Sequence, residues 1–232
     1  MKSILMILTS HEAMENTDSK TGVWLGEFTD PYYEFIDAGF QVTLASPAGG
    51  KPPIDPMSTL TENITESNRR FNDDATALAA FEHTHVLSNV DPNIYDAVFY
   101  PGGHGPIWDL ATDTFSGRLI LDYIAAGKPV GAVCHGPAAL IKAAELQPGF
   151  LEGKRIAGFT NAEETLSLRA DNVPYKLETR LKELGADFHS AALPFMSHVE
   201  TSGLLVTGQN PLSAGPTAKA LIALLEEHSV TV

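Results

Sequence analysis

The sequence predicts an α/β fold: a mostly parallel sheet sandwiched by helices, with a small extra segment around residues 46–72. Three observations carry this. Short apolar runs alternate with segments of helical spacing from end to end. The 232 residues, 44% of them hydrophobic, suffice for one large core. No internal repeat or linker-like shift in composition divides the chain, so residues 1–232 are expected to form a single domain.

The elements follow in order. Ile4 to Leu8 reads as the first strand. Val23 to Ala38 has helical spacing and stops at Gly39, with Pro31 marking a start or kink. Gln41 to Ala45 is the second strand. Residues 46–72, rich in Pro, Gly, Ser, Thr and Asn, read as a long irregular excursion, of the kind that is usually functional or interfacial. Asp73-Asp74 caps a helix through Phe81. Asp96 to Tyr100 is a buried strand, Phe115 to Ala126 a helix stopped by Gly127, and Val130 to Val133 a buried strand. A helix follows over 138–144. Arg155 to Phe159 is a further strand, and Lys176 to Leu184 a helix capped by Gly185. Val199 to Thr201 and Leu204 to Thr207 flank Ser202-Gly203 as a hairpin, and Leu212 to Glu227 is the closing helix.

Composition excludes several partners. The net charge is −14 and no basic cluster exists, which argues against nucleic acid and anionic membranes. One cysteine cannot form an internal disulfide. The apolar start, Met1 to Leu8, is too short for a secretory signal and lacks a small-residue cleavage site. No apolar run approaches membrane-spanning length. The expected location is the cytoplasm.

The chemistry gathers where strands end. Ligands of parallel sheets bind beyond the carboxyl ends of the strands. Thr9-Ser10-His11, Gly102-Gly103-His104 and Cys134-His135 all follow strands. Cys134 lies at a strand-to-helix corner between small residues, Gly131, Ala132 and Gly136, which matches a nucleophile elbow with sulfur in place of oxygen. That geometry predicts an exposed side chain, and the dipole of the following helix favours a thiolate. The His135 backbone N–H and the Gly102-Gly103 amides are candidates for an oxyanion hole. His104 lines the pocket on this reading. Trp24 is assigned to the core and Trp108 to the pocket wall, an assignment that can be exchanged. His83-Thr84-His85 is too weak a pattern for a metal site.

The strings Phe99-Tyr100-Pro101-Gly102-Gly103-His104-Gly105 and Ala132-Val133-Cys134-His135-Gly136-Pro137 resemble the ThiJ/PfpI superfamily. Thr21 to Glu27 with Pro31-Tyr32, Ala45-Ser46-Pro47, Gly158 to Glu164 and Val206 to Pro211 narrow the resemblance to glyoxalases III of the heat-shock-protein-31 type. It implies a class I glutamine-amidotransferase-like fold, a flavodoxin-like parallel sheet. By position it implies Cys134 as nucleophile and His135 as its partner. Glu164, preferred over Glu163, would orient His135, and Glu27 would be a buried acid against the sulfur. The oxyanion hole falls to Gly103 and His135. The implied activity is conversion of methylglyoxal to lactate without glutathione, with no metal or organic cofactor and with either Glu27 or His135 as base. A homodimer is also implied.

Two other readings stay open. One is an amidase, glutamine amidotransferase or protease of the same fold, for which His198-Val199-Glu200 offers a His-x-Glu pair. The other is a stress chaperone or a redox sensor acting through Cys134.

Overall fold

The computed structural model of the chain describes residues 2–15 and 17–230. Its first strand, β1 (Ser3–Ile7), leads to α1 (Leu25–Asp37) and β2 (Gln41–Ser46). Then come α2 (Glu66–Asp73), α3 (Ala75–Glu82), β3 (His85–Val86), β4 (Ala97–Tyr100), α4 (Thr114–Ala125), β5 (Val130–Val133) and α5 (Ala139–Leu146). The chain continues through β6 (Arg155–Ile156), α6 (Asn161–Leu166), α7 (Leu177–Glu183), β7 (Asp187–Phe188), β8 (Val199–Ser202), β9 (Leu205–Gly208) and α8 (Ala214–Val230).

The main sheet runs β3-β2-β1-β4-β5-β9-β8 and is parallel except for β8, which returns antiparallel along β9 through the expected hairpin. Strands β4, β5 and β9 are buried at every position. That needs helices on both faces, and side chains alternate between two cores accordingly. Ile4, Met6, Phe99, Val133 and Val206 join one core with α1 and α8 residues, while Leu5, Ile7, Val98, Tyr100, Val130 and Ala132 join the other with α4 and α5 residues. The chain moves outward from β1 to β2 and β3, then returns to β4 on the other side of β1. The crevice at that reversal, beyond the strands' carboxyl ends, is where such folds bind ligands.

Three sequence expectations change. Pro31 neither starts nor stops α1; the helix begins six residues earlier and places Glu27 in its first turn. Residues 46–72 are not wholly irregular, because Thr65 and Asn68 form a capping box that opens α2. This helix buries only Asn68 and Phe71, so its sequence carries almost no apolar period. The strand expected over 155–159 closes after Ile156 and pairs with β7 in a separate two-stranded sheet. No helix among the described residues is long and apolar enough to cross a membrane.

Candidate active site

Cys134 follows β5 directly and has a left-handed backbone, with φ of 59°. That conformation costs a side-chain-bearing residue about 1–2 kcal/mol. Two main-chain bonds fix it: the Cys134 N–H donates to Gly208 O (2.9 Å), and its carbonyl accepts from the Phe159 N–H (2.9 Å). The elbow is therefore present, but the side chain is not exposed as the sequence suggested. Only 4% of Cys134 is accessible, because the loop after β4 and the start of α1 close over the corner. Cys134 lines a cavity of about 800 Å³ together with His135, Glu27 and His104.

A hydrogen-bonded relay leads away from the sulfur. Cys134 Sγ is 3.4 Å from His135 Nδ1, and His135 Nε2 is 2.7 Å from Glu164 Oε2. A carboxylate only accepts, so Nε2 carries the proton and Nδ1 offers its lone pair to the thiol. His104 Nε2 lies 2.7 Å from the other oxygen, Glu164 Oε1. Burial opposes ionisation of Glu164, but its two histidine partners outweigh burial and hold the carboxyl well below the usual range. Burial, then the neighbouring His135, pushes His104 down to about 4, so it donates as a neutral ring. Its Nδ1 is buried without a partner.

Glu27, in the first turn of α1, also faces the sulfur and is wholly buried. Neither oxygen has a well-formed hydrogen bond; the Cys134 thiol and the Gly102 and Gly103 amides are the polar groups that face it. Burial drives its proton affinity well above the ordinary carboxyl value, and those three groups offset only part of the rise. Burial raises the Cys134 thiol as well, and the charges of Glu27, Glu163 and Glu164 add to it. The expectation that the helix dipole favours a thiolate is thus opposed by burial and neighbouring acids, which raise both the thiol and the Glu27 carboxyl.

The Gly-Gly pair exists for close approach. A Cβ at Gly102 would collide with Glu27 Oε2 and lie 2.9 Å from Cys134 Cβ. Gly103 has φ of +91°, and a Cβ there would strike Gly22 O.

The structure thus brings Cys134, His135, Glu27, Glu164, Gly102, Gly103 and His104 around one sulfur. Of the acidic doublet, Glu164 meets His135, as the sequence reading preferred. Glu163 instead caps α6 through Thr160 and accepts from Gln209, Asn210 and the Phe195 N–H. The His104–Glu164 bond was invisible in sequence, since 60 residues separate the partners. The tryptophans are exchanged: Trp24 lines the cavity, while Trp108 packs against the core and stacks on His11. His198 pairs with Glu200 on the hairpin, outside the cavity lining. His104, His135 and Glu164 have donor atoms within 4.8 Å of one another, close enough for a metal, but those atoms already bond to each other. The donor set fits a shared carboxylate better than a chelate.

The family profile described as the DJ-1/PfpI family matches residues 19–224. This chain belongs to the DJ-1/PfpI family. Glyoxalase 3 of Candida albicans is 30% identical over 97% of this chain and 99% of its own length. Glutathione-independent glyoxalase HSP31 of Saccharomyces cerevisiae is 31% identical over 97% and 98%. Among solved structures, the Rapid Encystment Protein 24 KDa of Francisella tularensis superimposes with a TM-score of 0.91 at 38% identity, covering 97% of this chain and 99% of that one. The DJ-1/PfpI sheet and its strand-end crevice are the frame on which the Cys134 cluster is built.

Proposed function

We propose that this DJ-1/PfpI protein is a glutathione-independent glyoxalase III, a cofactor-independent lyase of the D-lactate dehydratase type that turns methylglyoxal into lactate. The observation that carries the reading is Glu27, a second buried acid beside a thiol already served by His135 and Glu164. Amide hydrolysis needs only a nucleophile and its base. Isomerising an α-oxoaldehyde also needs a group that carries a proton between adjacent carbons. The relatives named as glyoxalases support the same reading.

The steps balance without an oxidant. His135 Nδ1 takes the thiol proton as sulfur bonds to the aldehyde carbon, and Glu27 gives its own proton to the new alkoxide, leaving a hemithioacetal and a Glu27 carboxylate. That carboxylate removes the hydrogen from the same carbon, the electron pair moves to the neighbouring carbonyl oxygen, and His135 returns its proton there to give an enediol. Glu27 then gives its proton to the adjacent carbon, which is thereby reduced, and takes up the proton released by the first carbon's hydroxyl as that carbon becomes a thioester. Water activated by His135 displaces the thiol and releases lactate. Gly103 and His135 amides would hold the oxyanion formed at addition and hydrolysis. The raised proton affinity of Glu27 makes its carboxylate a stronger base than an exposed one. The small dicarbonyl as sole partner, a homodimer and a cytoplasmic location belong to the same proposal.

Purified protein given methylglyoxal without glutathione should form lactate, and Cys134→Ser should form none. Dicarbonyl loss without lactate would reduce the protein to a scavenger and move the reading to amidase, redox or chaperone function.

A further inference from the structure

Methylglyoxal has five non-hydrogen atoms, whereas the cavity above Cys134 measures about 800 Å³, within the range that receives drug-sized ligands. We infer that the outer part of this cavity is an apolar subsite for the substituent of the carbonyl substrate, and that the favoured substrates are α-oxoaldehydes bearing an aryl or medium-length alkyl group. This rests on the glyoxalase reading for its reaction and on the shape of the cavity for its selectivity.

The mouth is made by residues the fold itself does not require. Among the described residues, three that are not glycine have a left-handed backbone: Cys134, Leu168 (φ 60°) and Phe195 (φ 62°). All three line this cavity. Strained residues gather where a site needs a side chain in one particular place. Leu168 follows the end of α6, at the position where helices ordinarily take glycine. Its N–H bonds to Thr165 O, and the next N–H, of Arg169, bonds to Glu164 O. The leucine side chain is then 87% exposed, so it adds nothing to the core. A glycine would satisfy the helix end better; a leucine held out over a cavity has a use there.

Phe195 is fixed by a different device. Its N–H donates to Glu163 Oε1 (2.8 Å), a wholly buried carboxylate. Its ring stands 6.2 Å from Phe159, and Phe159 stands 4.6 Å from His135. An aromatic path thus runs from the relay to the mouth. Exposed Leu166 and Leu212 extend the same apolar lining. Two adjacent acids of α6 divide the work: Glu164 holds the histidines, and Glu163 holds Phe195. The substrate's own substituent is the occupant that fits, because Phe159, Leu168 and Phe195 line the same cavity as Cys134, with Asp30, Glu34, Glu62, Arg169 and Lys219 elsewhere on its wall. A group on the carbonyl carbon next to the attacked aldehyde would be carried along that lining.

The test compares kcat/KM for methylglyoxal, a straight-chain 2-oxoaldehyde with a five-carbon alkyl group, and phenylglyoxal, in the native protein and in Leu168→Gly. The variant removes the side chain and relieves its backbone, so it should fold at least as well, read as an equal or higher Tm. The native protein should prefer the two larger substrates about tenfold or more, mainly through KM. Leu168→Gly should cut that preference about fivefold; intrinsic aldehyde reactivity cancels in the comparison. A second readout needs no turnover: calorimetric binding of mandelate against lactate to Cys134→Ala, with and without Leu168→Gly. Tighter mandelate binding that is lost with Leu168→Gly supports the subsite even if no oxoaldehyde is turned over, an outcome that would sink the glyoxalase reading alone. Equal preference for small and large substrates, or a preference untouched by Leu168→Gly, overturns the inference. So does a shift from dimer to monomer in sedimentation with selectivity unchanged, which would make the mouth an interface between copies.

Discussion

His104 and His135 hold opposite oxygens of one carboxylate. Each Nε2 is 2.7 Å from Glu164, on Oε1 and Oε2 respectively, and the two rings lie 4.0 Å apart. With both oxygens engaged, the carboxylate cannot rotate away from His135, and the His135 lone pair stays on the sulfur side. Glu164→Gln offers one acceptor and one donor, so it can serve only one ring and turns an N–H toward the other. Turnover should fall roughly 10²–10⁴-fold, the usual contribution of a positioned acid–base group. Stability should fall by about 1–3 kcal/mol for the unmatched buried donor. Because the folded carboxyl lies below its ordinary value near 4.5, that loss should be complete above pH 5 and shrink as pH falls through 4.5 and below. Urea unfolding of both proteins across pH 3–8 measures it.

His104 sets a second pH dependence, higher on the scale. Its folded proton affinity lies at about 4 against an ordinary 6.5, so the unfolded chain binds the proton first. Stability should therefore decline as pH drops from 6.5 toward 4, by roughly 3 kcal/mol in all from this group. His104→Gln keeps an N–H for Glu164 Oε1 but cannot titrate, and should flatten the curve in that window. An unchanged slope between pH 4 and 6.5 would show that the acid sensitivity arises elsewhere.

Glu27 has the opposite sign. Its folded carboxyl lies above the ordinary 4.5, so the folded chain binds the proton more tightly. Its contribution is destabilising, absent below pH 4.5 and growing as pH rises through the folded value. Glu27→Gln removes the buried acid and should be more stable than the native protein at pH 8, with the gain vanishing by pH 4. The same variant should lose roughly 10²–10⁴-fold in turnover on the glyoxalase reading. Cys134 should meanwhile alkylate faster at alkaline pH, where the native Glu27 has lost its proton and its charge is among the groups that raise the thiol. Higher stability and a more reactive thiol in a protein that has lost turnover would assign Glu27 to proton transfer rather than to folding. A variant that keeps full turnover would remove it from the mechanism.

Much of this was legible in the sequence because local signals and burial agree there. The four-residue apolar run Val130–Val133, followed by Cys134, His135 and Gly136, has one good solution: a buried strand and a tight corner. Gly39, Gly127 and Gly185 end helices where a left-handed residue is needed, and all three have positive φ. The exposure of Cys134 was not legible, since it depends on Glu27 and Gly102 arriving from other elements. Nor was α2, whose polar surface hides its period. Leu168 carries no turn signal, and its backbone is imposed by the end of α6; Phe195 has Pro194 before it and takes the third place of a turn closed by the Met196 N–H on Leu193 O, where glycine is usual, so its left-handed backbone was not marked by its own residue type. The His104–Glu164 bond and the Glu163 cluster depend on tertiary neighbours that no local pattern encodes.

Gly102 is the point where the two acid-bearing parts of the site touch. A methyl group there meets Glu27 Oε2, Val133 O at 2.7 Å and Cys134 Cβ at 2.9 Å. None of these can yield cheaply: Val133 O is strand backbone, Cys134 is pinned through Gly208 and Phe159, and Glu27 is wholly buried on α1. Gly102→Ala must therefore push α1 away from the elbow, at a cost of about 1–3 kcal/mol for overpacking. The separation of the Glu27 carboxyl from the sulfur should grow, and turnover should drop by more than the stability loss explains, since a displacement of about 1 Å can cost 100-fold. Tm, lactate formation and the pH dependence of Cys134 alkylation, measured on one preparation, test this together. A folded Gly102→Ala protein with native turnover would mean that the Glu27–Cys134 contact is not needed for the chemistry.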